Sequence, residues 1–179
     1  MQCRKEEMAA MIEVATEPVG PDAREVLANL LQLYTHDFSE QWGGESRGEL
    51  EEDGRFAPYP FLDSYWAEPD RVPLLLRVAG RIAGFCLINR HHHGARPVDW
   101  NVAEFFVVRK HRRSGVGGAA ARRIFAERPG VWEVAVARRN LGALAFWRGV
   151  ITAQPGVYGL RELDDANDWD GVVFRFGVR

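Results

Sequence analysis

Residues 102–150 decide the fold of this chain and read VAEFFVVRKHRRSGVGGAAARRIFAERPGVWEVAVARRNLGALAFWRGV. The segment opens with an apolar run from Val102 to Val108, interrupted once by Glu104, and this pattern predicts a buried β-strand. A basic, glycine-punctuated turn follows, and a helical pattern then continues to about Arg128. The first N–H groups of a helix have no partner within it, and glycines let an anion approach them closely. The segment therefore predicts a pyrophosphate site between the strand and the helix.

Upstream of this segment, apolar spacing predicts a short strand, a helix and a hairpin. The predicted ranges are 12–16 for the strand, 22–38 for the first helix, 61–66 for a short helix, and 74–78 and 82–89 for the hairpin strands. Asp22 is the expected N-cap of the first helix. Residues 39–53 are acidic and glycine-rich without a sustained period, which is typical of a long functional loop.

The remaining elements complete a layered α/β fold. Residues 98–108 are expected to pair back on the hairpin, and Pro129-Gly130 ends the helix after the glycine turn. Strands follow at 131–137, 157–160 and 171–178, with a helix at 141–149 that enters through Asn140 and an acidic loop at 162–170. This order predicts a mixed, mostly antiparallel central sheet with helices on both faces.

Composition restricts the class of protein. A chain of 179 residues, 46% hydrophobic and 27% charged, fits one globular domain over residues 1–179. Its formal net charge of -2 gives no field that would recruit nucleic acid, and no apolar run is long enough for a membrane span. Two cysteines, Cys3 and Cys86, argue against a disulfide framework. We expect a soluble cytoplasmic protein without nucleic-acid or membrane partners, and a homodimer stays open.

The glycine turn contains a spaced motif. Its residues are Arg109, Lys110, His111, Arg112, Arg113, Ser114, Gly115, Val116, Gly117 and Gly118. Within it, Arg112, Gly115 and Gly117 fit the pattern Arg or Gln, two residues, Gly, one residue, then Gly or Ala. A glycine motif alone is weak evidence for a function.

A second motif follows after one predicted helix and one predicted strand. Asn140 is followed by Ala143 three positions on, and then by the apolar-aromatic pair Phe146 and Trp147. Taken together and in this order, with three antiparallel strands before them, the two motifs resemble the signatures of the GNAT superfamily of N-acetyltransferases. The specific resemblance covers about residues 98–150, and the order of elements extends it over most of the chain.

The resemblance implies acetyl-CoA as the acyl donor, and it implies a set of binding residues. Backbone groups at 105–107 would pair with the pantetheine arm, amides at 112–118 would hold the pyrophosphate, and Asn140 would hydrogen-bond the pantetheine. A splay between residues 102–108 and 131–137 would admit the acetyl group. The implied cofactor-binding residues are Phe105, Phe106, Val107, Arg112, Arg113, Ser114, Gly115, Val116, Gly117, Gly118, Asn140, Ala143 and Trp147.

The chemistry implied is direct acetyl transfer, in a ternary complex, to the primary amine of an unidentified small-molecule or peptide acceptor. An alkylammonium group with a pKa of about 10 has no lone pair at neutral pH, so a base must take its proton. The departing thiolate needs a proton, and the tetrahedral oxyanion needs a donor such as a strand N–H near Val107.

Glu104 and Tyr158 are the candidate catalytic residues. Glu104 is the one charge in an apolar strand, where an unpaired carboxylate is costly, so it is a candidate base with a structural ion pair as the alternative. Strand alternation puts it on the face of Phe106 and Val108. Trp147 stands where many family members have a tyrosine that protonates the thiolate, which indole cannot do. Tyr158 is the candidate acid by its nearness in sequence.

Four other features of the sequence each allow a structural and a functional interpretation. His91, His92 and His93 are expected to form a solvated turn, since consecutive side chains lack ligand-like spacing, and we predict no metal. Arg138 and Arg139 are either solvated or near the cofactor phosphates. The aromatic stretch 56–66 is either core or a border of the acceptor cleft, and the acids of 40–53 are either solvated or attract a cationic amine.

Two rival functions remain from the sequence. One is a module of the same fold that binds CoA without catalysis, because Trp147 replaces tyrosine. The other is a nucleotide-binding protein that uses the glycine turn for a nucleoside triphosphate. That second rival lacks the Gly-Lys-Ser/Thr ending of a P-loop, since residues 115–119 contain neither the lysine nor the hydroxyl.

Overall fold

A computed structural model gives the fold and describes residues 13–42, 48–164 and 169–179. The expectations for Ile12, Cys3 and Glu45, and for the centre of the loop at 162–170, lie outside the described residues. Within the described ranges, no helix is both long and apolar enough to cross a membrane.

The described elements form one seven-stranded sheet with helices before, between and after its strands. In chain order they are β1 (Val14–Pro18), α1 (Arg24–Ser39), α2 (Ser64–Ala67), β2 (Val72–Val78), β3 (Arg81–Asn89), β4 (Trp100–Val107), α3 (Val116–Glu127), β5 (Gly130–Ala137), α4 (Leu141–Thr152), β6 (Val157–Asp164) and β7 (Gly171–Val178). The spatial order is β1-β2-β3-β4-β5-β7-β6. Among the described strands, only β4 and β5 are parallel, joined by the crossover helix α3, so the predicted mixed, mostly antiparallel sheet is confirmed.

Apolar side chains cover both faces of the sheet. On one face, α3 and α4 bury Ile124, Phe125 and Ile151 against the central strands. On the other face, α1 buries Leu27 and Leu31. The periodicity of each helix thus matches the face that it covers, and the predicted two-sided packing is confirmed.

Two local predictions were wrong. Asp22 lies inside a short 3-10 turn, Pro21–Ala23, and α1 begins after it with Ala23 as its N-cap, so Asp22 does not cap the helix. The strand predicted to end at residue 160 continues to Asp164, because Glu162 and Leu163 still pair with β7. The start of the acidic loop is therefore part of the sheet.

The parallel strands β4 and β5 part in the middle of the sheet. They pair only at Trp100–Trp132, Asn101–Glu133 and Val102–Val134, and no later pair joins the two strands although both are fully described. A register shift beside Leu87 inserts Ala103 as an extra residue in β4. The predicted splay is present, and it leaves one backbone edge of β4 open from about residue 103.

Candidate functional site

The glycine turn is built as a cradle of backbone N–H groups. Arg113 (φ 58°) and Gly115 (φ 90°) both adopt left-handed conformations, and α3 begins directly afterwards. Among the described residues, no backbone N–H from 113 to 118 donates a hydrogen bond. Successive free N–H groups at the positive end of a helix dipole attract an anion. The geometry of the turn therefore fits the phosphate site expected from the sequence.

Arginine side chains of the turn also hold helix α1. Arg112 donates from Nε to the Val107 carbonyl oxygen over 2.6 Å, and both Arg112 and Arg109 pair with the carboxylate of Asp37. Burial raises the pKa of Asp37, but the hydrogen bonds from Arg112 and Arg109 outweigh it and hold the pKa below its usual value. Asp37 is thus ionised at neutral pH and ties α1 to the turn.

The turn opens onto a cavity of about 730 Å³, called the turn cavity below. The predicted cofactor-binding residues all line it except Ser114 and Val116. Val116 is buried in the core, and the Ser114 hydroxyl donates to the His111 carbonyl oxygen. Arg122, one turn beyond Gly118 on α3, lines it as well and makes no ion pair with a described residue. Arg122 is not part of either sequence motif, although its spacing of four residues from Gly118 indicated a shared helix face.

The second motif packs directly against this cavity. The Asn140 side chain caps α4 by accepting the N–H of Ala143 over 3.0 Å, so its N-cap role is confirmed. Asn140 also lines the cavity. Trp147 is 5% exposed, with its ring centroid 5.0 Å from those of Phe105 and Phe146. Its position therefore combines core packing with cavity lining.

A second cavity of about 820 Å³ lies where β4 and β5 part and is called the Glu104 cavity below. Tyr34, Phe105, Asn140 and Trp147 line both cavities, so the two spaces adjoin. Its aromatic walls are Tyr34, Phe38, Trp42, Tyr59, Phe61 and Trp169. The aromatic stretch 56–66 therefore contributes to the cleft as well as to the core.

Glu104 lies in the Glu104 cavity between two tyrosines, of which Tyr34 also lines the turn cavity. It faces α1 together with Phe106, as strand alternation predicted, and its carboxylate accepts the Tyr34 hydroxyl. Burial raises the pKa of Glu104 to about 7, against the opposing effect of hydrogen bonds from Tyr34 and Tyr59. No ion pair to a described residue involves Glu104, so the structural ion-pair alternative has no partner there. A carboxylate that titrates near neutrality is suited to accept a proton.

Tyr158 is not brought to this site. It lies on the edge strand β6, is 43% exposed, and lines neither cavity. Its ring packs on Gly177 and under the guanidinium of Arg179, 4.7 Å from the ring centroid. Strand β7 separates β6 from the parted strands, and nearness in sequence did not reveal this.

The histidine turn forms one wall of the Glu104 cavity and is only partly solvated. His91 and His93 line the cavity, and burial, with the neighbouring histidines, lowers the pKa of His93. Within the described residues, no group of three His, Cys, Asp or Glu side chains is placed to hold a metal ion. The wall at His91 and His93 therefore contributes aromatic rings with polar nitrogens to the cavity.

A buried ion pair holds this wall in place. Glu133 on β5 is fully buried and pairs with Arg175 on β7 over 2.6 Å. The same carboxylate accepts a hydrogen bond of 2.7 Å from the backbone N–H of His93. Arg175 also donates to the backbone carbonyl oxygens of Arg96 and Pro97. In the sequence Glu133 lies within an apolar strand and had no evident role, because its partners lie about 40 residues away along the chain.

Arg138 and Arg139, the two arginines that follow β5, make different contacts. Arg138 pairs with Asp164 and Asp170, while Arg139 donates to the Gln41 carbonyl oxygen and lines the Glu104 cavity. Neither arginine lines the turn cavity.

Comparison with known proteins identifies one family. A family model described as Acetyltransferase (GNAT) family matches residues 27–150, which include Glu104, the glycine turn and the second motif. No curated protein matches the sequence significantly.

Solved structures share the fold at low sequence identity. An acetyltransferase from Thermus thermophilus is 18% identical with a TM-score of 0.62, over 91% of this chain and 94% of that chain. The GNAT domain of PAT from S. lividans is 16% identical with a TM-score of 0.61, over 92% and 90%. The PaiA N-acetyltransferase of Thermoplasma acidophilum, in complex with coenzyme A, is 11% identical with a TM-score of 0.53, over 91% and 98%.

Proposed function

Because the chain belongs to the GNAT acetyltransferase family, we propose that it transfers the acetyl group of acetyl-CoA directly to a primary amine, with Glu104 as general base. One observation carries this assignment beyond the family. Glu104 lies in the Glu104 cavity beside Tyr34 and Phe105, which line both cavities, and burial raises the pKa of its carboxyl to about 7. A base with this pKa is half ionised near neutral pH, where most alkylamines still carry the proton that has to be removed.

Features of the turn cavity support acetyl-CoA as the donor. The free N–H groups from 113 to 118 fit a pyrophosphate, and the Asn140 amide and the open backbone edge at 105–107 fit the amides of a pantetheine arm. When bound, acetyl-CoA supplies a thioester carbonyl that is reactive towards amines. The residues of the chain bind and orient this group, and Glu104 accepts the amine proton at a carboxylate oxygen.

The test combines binding with turnover. Thermal-shift measurements with acetyl-CoA, CoA and ATP should show stabilisation by the first two, since a ligand that binds only the folded state raises Tm. Initial velocities with a panel of amines should then give intersecting lines when both substrates are varied, as direct transfer in a ternary complex requires. Stabilisation by CoA without turnover of any amine would favour the non-catalytic module, and stabilisation by ATP alone would favour a nucleotide-binding protein.

Tyr34→Phe should move the acidic limb of the pH profile. The Tyr34 hydroxyl donates to Glu104 and thereby favours its ionised form. Losing this bond should raise the pKa of Glu104, so the acidic limb of kcat/KM should move from about pH 7 to higher pH by roughly one unit. Tyr65→Phe is the matched control, because Tyr65 belongs to the same aromatic cluster but does not bond Glu104. A limb that stays in place in Tyr34→Phe would contradict the assignment of the base.

Trp147→Phe should keep most of the turnover. The indole N–H is only a hydrogen-bond donor, so Trp147 can pack against the pantetheine arm but cannot protonate sulfur. The smaller ring should weaken acetyl-CoA binding and lower the free energy of unfolding by about 1–2 kcal/mol, because contacts to Phe105 and Phe146 are lost.

Steady-state kinetics and Tm measurements of Trp147→Phe and Trp147→Tyr check this prediction. Trp147→Tyr should raise kcat only if departure of the thiolate limits the rate. A loss of kcat of about 10³-fold or more in Trp147→Phe, the scale of removing a proton donor, at unchanged cofactor affinity and fold, would show that Trp147 is catalytic.

A further inference from the structure

The Glu104 cavity has a second polar group of fixed orientation, the side-chain amide of Asn89. Asn89 ends β3 and faces Asn101 on β4. Its Oδ1 accepts the His91 backbone N–H at 3.0 Å and Nδ2 of Asn101 at 2.9 Å. A backbone N–H can only donate, so the oxygen of Asn89 must face His91 and its NH₂ group must face elsewhere.

The NH₂ group of Asn89 is available to a ligand. Asn89 is 9% exposed and lines the Glu104 cavity. Its Nδ2 donates to no described residue, and it is not among the side-chain atoms that are both enclosed and unpartnered. A largely buried donor usually has a partner. The geometry therefore points Nδ2 into the cavity, towards an acceptor oxygen that a ligand would supply.

Asn89 and Glu104 are close enough to bind one small molecule together. Glu104 is opposite Leu87, and Asn89 lies two residues further along β3 on the same face. Diagonal neighbours on a regular antiparallel pair lie about 7–8 Å apart at the backbone, and here the extra residue Ala103 of β4 lies between the pairs Leu87–Glu104 and Ile88–Val102. An amine nitrogen and a carbonyl oxygen three bonds apart, each with a hydrogen bond of about 3 Å, bridge a separation of this order.

The charges of the described cavity lining favour an oxygen over a second ammonium group. Arg139 lines this cavity, as does Arg71, which pairs with Glu68, whereas the carboxylates of the lining are Glu104 and Asp170, and Asp170 pairs with Arg138. Glu104 is itself largely protonated below pH 7. Among the described residues that line the Glu104 cavity, no unpaired carboxylate besides Glu104 is left to bind the distal cation of a polyamine.

We propose that the acceptor substrate carries an α-amino carbonyl group, as in an amino-acid amide or the first residue of a peptide, and that Asn89 binds the carbonyl oxygen while Glu104 faces the amine. The proposal rests on the proposed acetyltransferase function and names the substrate class of the same cavity. The aromatic walls at Phe38, Tyr59 and Trp169 indicate an apolar or aromatic side chain on that residue.

The test compares two amines that differ by one group. Phenylalaninamide and 2-phenylethylamine share the amine and the ring, but only the first carries the carboxamide. Because their amine pKa values differ, the diagnostic quantity is the change in the ratio of their kcat/KM values between the wild-type protein and Asn89→Asp. This variant keeps both hydrogen bonds accepted by Oδ1 and replaces the NH₂ donor by an acceptor oxygen.

The kcat/KM for phenylalaninamide divided by the kcat/KM for 2-phenylethylamine should fall about tenfold in Asn89→Asp, the effect of losing one hydrogen bond to the substrate. The KM for acetyl-CoA should stay unchanged. In the wild-type protein, 3-phenylpropanamide, which has the carboxamide without the amine, should inhibit competitively against 2-phenylethylamine. A short peptide that begins with phenylalanine distinguishes a peptide source from a free amide, and spermidine represents a polyamine.

Several outcomes would overturn the proposal. They are an unchanged ratio in folded Asn89→Asp, no inhibition by 3-phenylpropanamide, and a wild-type preference for spermidine. If acetyl-CoA binds but none of these amines is acetylated, the substrate class is wrong while the donor assignment stands. If acetyl-CoA neither binds nor reacts, the proposed function itself fails.

Discussion

Gly117→Glu should abolish coenzyme A binding and leave the fold largely intact. A Cβ at this position would lie 3.3 Å from Cε2 of Phe146 and 3.6 Å from Cγ2 of Val107, so only a small shift of the flexible ring is needed. The carboxylate, by contrast, would enter the cradle of free N–H groups and repel the pyrophosphate. Like charges brought together cost several kcal/mol, so we expect affinity to fall on the order of 10²- to 10³-fold or beyond detection. Calorimetric titration with CoA measures it.

Two matched variants separate charge from bulk at this position. Gly117→Gln has nearly the same volume as Gly117→Glu without the charge, and Gly117→Ala adds the Cβ alone. Affinity for CoA should fall in the order Ala, Gln, Glu, and Tm should stay similar across all three. Unchanged CoA affinity in Gly117→Glu would disprove the assignment of the cradle.

Glu104→Gln should lower kcat about 10²- to 10⁴-fold, the usual range for removing a general base. The amide has nearly the same shape as the carboxylate but cannot accept the amine proton. The acidic limb near pH 7 should also disappear from the rate profile, and acetyl-CoA affinity should stay nearly unchanged, because the residue faces the acceptor side. Single-turnover kinetics with preformed acetyl-CoA complex measures the chemical step, and normal turnover would return Glu104 to a structural role.

The stability of the same variant provides an independent readout. The pKa of Glu104 is about 7 in the folded protein and 4.5 ordinarily. Proton binding therefore stabilises the fold fully below pH 4.5, and this stabilisation is lost as pH rises through about 7. The glutamine side chain of the variant does not titrate, so the Tm of Glu104→Gln relative to the wild-type protein should rise between pH 5 and pH 8. A constant difference would mean that Glu104 is less buried than the structure indicates.

The elements that local chemistry fixes were predictable from the sequence. The glycine turn follows directly from a basic, Gly-rich run between a strand and a helix, and Asn140 was identified as the cap of α4 because capping involves residues three apart. The order of strands and helices followed from periodicity. Membership of the family, which two short motifs indicated, is confirmed by a match over residues 27–150. The roles of the individual site residues stay predictions.

Contacts between distant parts of the chain were not predictable in this way. Tyr34 is 70 residues from Glu104, and its place in a helical repeat indicated only that it faces the core. Asn89 lay at the end of an apolar strand without a pattern that would set it apart. Tyr158 was misplaced for the opposite reason, since closeness along the chain suggested closeness in space, whereas β7 intervenes. One sequence shows periodicity, but it does not show which side chains meet across a sheet.

The parting of β4 and β5 has a consequence for the lifetime of the protein. A sheet whose central strands separate after Val102 and Val134 is incomplete, and the open edge of β4 leaves backbone groups that a strand-like ligand can satisfy. Such a ligand, at a concentration about 100 times its Kd, would stabilise the fold by about 2.7 kcal/mol. The fraction of molecules that unfold, and with it the rate of proteolytic turnover, would then follow the concentration of such a ligand in the cell.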